Sequence, residues 1–308
     1  MHIAVILRNL DISLLMRAAI LFANYIDAKK TGGLLVKRTL SAFNSLRTIV
    51  ITLCASAFVF FYLHTTSAQT TALGSLAASM QPGTWAELQT NNLNATFSSS
   101  DMGGGASGQI IGYTDDAVWD PVSRQVFFLG GDHNASVGTT AKFVSYSEAT
   151  NSWQKRTQPS WASGIVHGYH HSAIDPATGT FYHRPFTAQV VHRYNIAAQT
   201  WDQPPLANFP FTGDYNNCCD ALEYFPELGG LVWVSGSASV YLYRSSTNQW
   251  STLASNLAIG GTWHSARYNP VLQVMIFYSE MTGALYRLSG SGQVTRLANP
   301  PIALYNGG

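Results

Sequence analysis

Hydrophobic and polar positions repeat along the chain in four segments that predict β-strands. An apolar run follows a proline in each segment, and the four runs read QVFFLGG, TFYHRPF, GLVWVSG and QVMIFYS. An alternating stretch comes next, such as VYLY at 240–243, and a polar turn then leads into a final strand. Alternation with a period of two is typical of a sheet whose two faces differ. Each segment therefore predicts four antiparallel strands.

Two fixed positions mark the repeat. The shared prolines are Pro121, Pro176, Pro226 and Pro270, spaced 55, 50 and 44 residues apart. The final strand carries Trp153, Trp201 and Trp250 in the first three copies and Val294 in the fourth. Four-stranded units repeated every 45–50 residues or so are typical of β-propeller blades. A β-sandwich with coincidental spacing is the alternative, and the matching proline and Trp positions favour the propeller.

The end of each copy resembles a known repeat. The pairs that carry the resemblance are Tyr146 with Trp153, Tyr194 with Trp201, and Tyr243 with Trp250. They resemble Kelch repeats and the galactose-oxidase-type propeller domain, over about residues 81–300. The Gly-Gly usual in such repeats occurs only at Gly130-Gly131, so these copies are divergent. The copper-binding residues and cross-linked cysteine of galactose oxidase do not map onto this chain, so the resemblance implies a fold and no reaction.

The resemblance also bears on the number of blades. The segment PGTWAEL at 82–88 resembles the fourth strand of a blade. Propellers commonly close by pairing an N-terminal strand with strands from the C-terminal end, and Kelch-type rings usually have six or seven blades. We therefore expect an all-β fold, an incomplete propeller over 81–308 with four blades and one N-terminal outer strand, truncated at the C-terminus. Four blades can in principle close a small ring, and this alternative stays open.

The first 68 residues predict an export signal with a long N-terminal extension. The apolar run Ile49–Leu63 follows the basic residues Lys37, Arg38 and Arg47 and precedes the small residues 66–68. This order is typical of a secretory signal. Its 15 residues are short for a membrane-spanning helix. An uncleaved signal-anchor is the alternative, and it would be the protein's only membrane attachment.

These features divide the chain into a leader (1–68), a short flexible linker (69–80) and the propeller (81–308). The extension before the apolar run is either an amphipathic helix or the product of a wrongly chosen start codon. We expect a secreted, periplasmic or cell-surface protein.

Charge and cysteine usage narrow the function. Residues 1–68 carry a net charge of +5 and the remainder −4. A mildly acidic body excludes a nucleic-acid-binding role, which requires basic patches. Outside the leader the only cysteines are the adjacent Cys218 and Cys219, which lack metal-ligand spacing. They form either a strained vicinal disulfide or two buried thiols.

One set of polar residues stands in register with the repeat. Six positions before the shared prolines lie Asp115, His170, Asp220 and His264. Because the first strand of each blade lines the central channel, we expect these residues at the channel rim, beside His171, Tyr169 and Trp263. Carboxylates and imidazoles together can bind a divalent metal or act as an acid–base pair. The alternatives are a rim that is polar because water fills the channel, or side chains that anchor buried turns.

Three functions fit this sequence. The first is a recognition module for a glycan or an extracellular protein, with Tyr113, Tyr169, Tyr215 and Trp263 as aromatic platforms or as core residues. The second is a carbohydrate-active enzyme, a lyase or an oxidase, that acts at the rim. The third is a structural cell-envelope protein. The sequence leaves open whether the chain is an enzyme, and the single candidate cofactor is a divalent metal held by His170, His264, Asp115 and Asp220.

Overall fold

The structure of the chain is a computed structural model. It describes residues 71–97, 116–130, 143–161, 168–186, 188–202, 205–207, 220–261 and 264–301. All of them belong to one compact unit, Thr70–Gly308. The predicted leader and the Cys218-Cys219 pair lie outside the described residues.

Within these ranges, sixteen strands form four antiparallel sheets, each hydrogen-bonded in the order of the chain. Blade 1 contains β1 (Ala117–Asp120), β2 (Gln125–Leu129), β3 (Phe143–Ser147) and β4 (Ser152–Lys155). Blade 2 contains β5 (Ser172–Asp175), β6 (Thr180–His183), β7 (His192–Asn195) and β8 (Thr200–Asp202). Blade 3 contains β9 (Ala221–Phe225), β10 (Gly230–Ser235), β11 (Ser239–Arg244) and β12 (Gln249–Ala254). Blade 4 contains β13 (His264–Asn269), β14 (Val274–Ser279), β15 (Ala284–Ser289) and β16 (Val294–Arg296). The described residues thus form a four-bladed β-propeller, which confirms the predicted all-β propeller class.

The turn between the first two strands of each blade explains the shared prolines. In blade 1, the carboxylate of Asp120 accepts hydrogen bonds from the backbone N–H groups of Val122 and Ser123. Asp175 and Asn269 close the corresponding turns of blades 2 and 4 in the same way. Such side-chain bonds to the residues that follow, with a proline that fixes φ, favour a tight turn at this point. The third residue after each shared proline has a positive φ, and these residues are Arg124, Gly179, Gly229 and Gln273.

The repeated Tyr and Trp fix the outer half of the blades. The hydroxyl of Tyr243 donates to Asn248, in the turn before β12, at 2.9 Å. Tyr146 bonds Asn151 in the same way at 2.9 Å. The indole N–H of Trp250 donates to the carbonyl of Ala207, which belongs to the connection from blade 2 to blade 3. The motif therefore ties the third strand to its turn and the fourth strand to the preceding connection.

Buried apolar clusters lie between successive blades. One cluster joins blades 1 and 2 around Phe127 and Phe181, a second joins blades 2 and 3 around Trp233, and a third joins blades 3 and 4 around Phe277. The inner strands β5, β9 and β13 lie side by side, and β1 lies beside β5. This packing places the first residues of the inner strands around a common axis.

The N-terminal segment differs from the sequence expectation. Helix α1 (Ala72–Ser79) forms within the stretch expected to be a linker, and a one-turn helix, α2 (Leu93–Thr96), follows. Residues 82–88, expected to form an outer strand, form no strand, and Trp85 is 98% exposed. Asn91, which lies after residues 82–88, contacts the outer strand of blade 1 instead, through an isolated parallel bridge with Ser152 of β4.

Neither of the two described helices, α1 and α2, is long and apolar enough to cross a bilayer, and no other segment of the described residues provides such a helix.

Candidate functional site

Three of the four residues predicted in register are described, and all three are buried. Asp220 is fully buried, His264 is nearly so, and His170 is 9% exposed. Asp115 and Trp263 lie outside the described residues, as do Tyr113 and Tyr215.

Asp220 is the centre of a buried ionic network between blades 2 and 3. Its Oδ1 lies 2.5 Å from Nη2 of Arg184 and 2.7 Å from Nε2 of His171. Its Oδ2 accepts the indole N–H of Trp233 at 2.7 Å. Burial raises the pKa of the Asp220 carboxyl, but Arg184 and His171 more than offset this, so the pKa is held well below its usual range. Asp220 is therefore an ionised group held by side chains of a buried network, and its predicted role at the channel rim stays a prediction.

His264 has a structural partner of its own. Its Nε2 lies 3.4 Å from the carbonyl oxygen of Ile259, in the loop that leads to blade 4. Burial lowers the pKa of the imidazole, so the ring is neutral near pH 7. His264 therefore holds the entry to β13.

His170 connects two blades across the propeller. Its Nε2 lies 3.0 Å from the hydroxyl of Ser265 on β13, and its carbonyl accepts the backbone N–H of Leu222 on β9. The neighbouring Tyr169 is buried, with 5% of its surface exposed. Tyr169 is therefore a core residue and offers no stacking face to a ligand.

A second group of imidazoles lies in blade 2. His183 and His192 are cross-strand partners, and the indole of Trp161 stacks on both rings, with centroids 5.6 Å and 4.2 Å away. Burial holds the pKa of His183 well below its usual value and lowers that of His192 to about 4. Both rings are uncharged under neutral conditions, and they form part of the packing between blades 1 and 2.

Within the described residues, no group of three or more His, Cys, Asp or Glu side chains is arranged to hold a metal ion. The predicted metal site also includes Asp115, which is not among the described residues, so that site stays a prediction.

A different set of residues meets where the inner strands converge. Nη2 of Arg267, on β13, donates to Oδ1 of Asp116 at 2.7 Å, and Oδ2 of Asp116 accepts the backbone N–H of Ser172 at 3.2 Å. Nη1 of Arg267 lies 3.6 Å from Oε2 of Glu223, on β9. We call Asp116, Ser172, Glu223 and Arg267 the axial cluster. Each of the four blades contributes one member, since Asp116 immediately precedes β1.

Exposure and charge differ within the axial cluster. The side chain of Arg267 is 50% exposed, that of Glu223 is 17% exposed, and that of Asp116 is fully buried. Burial raises the pKa of Glu223 to about 7; Arg267 opposes this shift and Asp116 adds to it. A carboxyl with such a pKa can give or accept a proton near neutral pH.

Sequence reasoning missed Glu223 and Arg267. The position six residues before each shared proline, which the sequence analysis singled out, is occupied instead by the buried Asp220 and His264. The available signal was a charged residue inside an otherwise uncharged inner strand, as in ALEYF and SARYN, in a chain with only 11% charged residues. Lone charges on buried strands are rare without a partner or a function.

Comparisons with known proteins give only distant likenesses. No protein-family model matches the chain, and no curated protein matches it. The solved structures that resemble it include a nidogen/laminin complex, at 11% identity and a TM-score of 0.44, with 59% of this chain and 63% of that one covered. They also include an auxiliary nutrient binding protein from Bacteroides ovatus, at 13% identity and a TM-score of 0.45, with 63% and 48% covered. Virginiamycin B lyase from Staphylococcus aureus is similar at 11% identity and a TM-score of 0.44, with 64% and 59% covered. The chain thus spans less than two thirds of the length of each of these structures.

Proposed function

We propose that this chain is an exported, divergent Kelch-like propeller that works as a recognition module and binds a glycan at the axial cluster. The observation that carries the proposal is the exposure of Arg267, which projects half-exposed from an inner strand toward two carboxylates. Inner strands of a propeller surround its axis, where a ligand can touch several blades at once.

The chemistry of the axial cluster suits a hydroxyl-rich ligand. A sugar hydroxyl both donates and accepts hydrogen bonds, and the cluster offers guanidinium donors beside carboxylate acceptors. Trp119, on the inner strand that follows Asp116, is 40% exposed. An exposed indole gives an apolar face on which a sugar ring can stack.

The buried anchors favour a binding module over an enzyme. Asp220 and His264, which the sequence suggested as reactive groups, bond to Arg184 and to the Ile259 carbonyl. Groups engaged in this way stabilise the fold, which supports the binding module.

Glu223 is the one observation that favours the second candidate, a carbohydrate-active enzyme. Its pKa of about 7 suits a general acid or base. A time course of incubation with any bound glycan distinguishes the two functions. An enzyme converts the glycan and loses turnover in Glu223→Gln, whereas a module returns the glycan unchanged.

A glycan array tests the proposed function. The purified full chain is compared with Arg267→Met and with Arg124→Met, which removes a half-exposed guanidinium that pairs with Glu148 away from the axis. We expect glycan binding that weakens at least about tenfold in Arg267→Met and persists in Arg124→Met, since a hydrogen bond to a charged group contributes about 1.5 kcal/mol or more. An array without hits, or glycan binding that is unchanged in Arg267→Met, contradicts the proposal.

Export is a separate part of the proposal and rests on the leader. N-terminal sequencing of the protein recovered outside the cytoplasm tests it. We expect the mature chain to begin near Gln69, and a chain found only in the cytoplasm with Met1 intact contradicts export.

A further inference from the structure

Exposure separates the charges of the axial cluster. The guanidinium of Arg267 is half-exposed, whereas the carboxylates of Asp116 and Glu223 are 0% and 17% exposed. The group presented to an incoming ligand is therefore the cation, with both anions set behind it.

The geometry also orients that cation. Asp116 holds Nη2 of Arg267 at 2.7 Å and is itself fixed by the N–H of Ser172 at 3.2 Å. A guanidinium is planar and carries its donors in a fixed fork that matches the two oxygens of a carboxylate. An arginine anchored in this way is prepared for a carboxylate more than for a neutral group.

The second carboxyl makes the site sensitive to protons. Glu223 is faced by Arg267 and Tyr268 from β13 and by Asp116 from the start of blade 1, and its own strand adds the N–H of Tyr224. Protonated Glu223 leaves Arg267 balanced by Asp116 alone. Ionised Glu223 adds a negative charge 3.6 Å from Nη1 of Arg267, and this charge repels an anionic ligand.

We propose that the group recognised at the axial cluster is the carboxylate of an acidic sugar, that Arg267 binds this carboxylate, and that ionisation of Glu223 weakens the binding. This inference rests on the proposed glycan-binding function. A sugar is favoured over a peptide C-terminus because the exposed indole of Trp119 lies on the inner strand that follows Asp116. The sugar ring and the carboxylate are therefore both needed for tight binding.

Calorimetric titration of the full chain with three probes tests the inference: D-glucuronate, D-glucose and acetate, each at pH 6 and pH 8. At pH 6 we expect glucuronate to bind at least about tenfold tighter than either other probe, from one charge-assisted contact. At pH 8 its affinity falls about tenfold, because the protonated fraction of Glu223 falls by that factor across its pKa of about 7.

Two variants assign the effect to residues. Glu223→Gln imitates the protonated carboxyl and keeps its pH 6 affinity for glucuronate at pH 8, while Arg267→Met loses the preference for glucuronate over glucose. Arg124→Met behaves like the unsubstituted chain. Near-ultraviolet circular dichroism of each variant confirms that it is folded before titration.

Several outcomes overturn the inference and leave the proposed function intact. Equal binding of glucuronate and glucose shows that the site does not recognise the carboxylate. Acetate that binds as tightly as glucuronate shows capture of a carboxylate without a sugar, as a peptide C-terminus would give. Failure of all three probes, in a chain whose array hits depend on Arg267, shows that Arg267 contacts a group of the glycan other than a carboxylate. An array without hits removes both proposals together.

Discussion

Arg267 of blade 4 donates a hydrogen bond to Asp116 of blade 1 at 2.7 Å, although the two residues are 151 positions apart in the chain. The buried apolar clusters of the described residues join blades 1 and 2, 2 and 3, and 3 and 4. The ion pair links the first blade to the last. It therefore serves the fold as well as the candidate ligand site.

The first prediction concerns this link. Asp116→Ala removes the nearer of the two carboxylates beside Arg267 and the acceptor of the Ser172 N–H, and we expect the free energy of unfolding to fall by about 2 kcal/mol. The value is moderate because Arg267 is half-exposed and water solvates it once Asp116 is gone. Urea unfolding measures the change.

The pair of Arg124 and Glu148 provides the control. Arg124 is 59% exposed and Glu148 is 3% exposed. Because Glu148 also accepts a hydrogen bond from the hydroxyl of Thr71 and keeps it in Arg124→Ala, we expect that variant to lose only about 1 kcal/mol. If Asp116→Ala destabilises the protein no more than Arg124→Ala does, the link between blades 1 and 4 is not structural.

The second prediction concerns the buried pair of Asp220 and Arg184. Asp220→Asn leaves the Arg184 guanidinium, which is 0% exposed, without its counter-charge, and we expect a loss of about 3–5 kcal/mol. Arg184→Met alone removes the guanidinium beside the buried carboxylate of Asp220, and we expect it to lower the free energy of unfolding by a similar amount. The double variant should be more stable than either single variant, because it removes both charges. Chemical denaturation of the three variants measures this coupling, and additive losses contradict it.

Much of the fold could be predicted because its signals are local. In blades 1, 2 and 4 the residue before the shared proline closes its own turn, as Asp120 does with Val122, so the turn is encoded within a few residues. The Tyr243–Asn248 bond likewise spans only five residues. The strand expected around Trp85 did not form. A strand needs hydrogen-bonded neighbours to be stable, and the residues on either side of Trp85 do not contain the pattern of a blade that would provide them.

The candidate site was harder to predict because its residues come from different blades. The register before the prolines found Asp220 and His264, yet polar residues in register serve a buried network as readily as a channel. The partnership of Arg267 with Asp116 depends on how blade 4 meets blade 1, and no local pattern encodes it. Periodicity finds the repeats, whereas the axial cluster consists of departures from the repeat.

The third prediction concerns the turn before the Trp strand of blade 3. Asn248 has a φ of 52° and accepts hydrogen bonds from the Tyr243 hydroxyl and the Ala207 N–H. Asn248→Gly keeps the backbone accessible and loses the bonds, so we expect a loss of about 1–2 kcal/mol. Asn248→Ala adds about 1 kcal/mol of strain, since a side chain disfavours the left-handed region. Thermal unfolding should rank the unsubstituted chain above Gly and Gly above Ala, and the reverse order of the variants contradicts this account.

The fourth prediction concerns acid. Burial lowers the pKa of His192 to about 4, from 6.5 in the unfolded chain. Because the unfolded state binds the proton more readily, the free energy of unfolding falls as the pH drops from 6.5 toward 4. We expect His192 to contribute about 2 kcal/mol to this loss. Asp220 has a lowered pKa and loses its stabilising charge only below its unfolded value of 3.8, outside this window.

Glu223 changes the free energy of unfolding with pH in the opposite direction. It must therefore be replaced before the contribution of His192 can be measured. Its pKa is raised from 4.5 to about 7, so its contribution to stability is greatest in acid and is lost as the pH rises through 7. The comparison is therefore made between Glu223→Gln and the double variant Glu223→Gln/His192→Phe, whose phenyl ring can still stack on Trp161. Unfolding free energies from pH 7 to pH 4 should fall less steeply in the double variant. Parallel curves would show that His192 takes up its proton as readily in the folded chain as in the unfolded one, so that its burial between the blades does not resist acid.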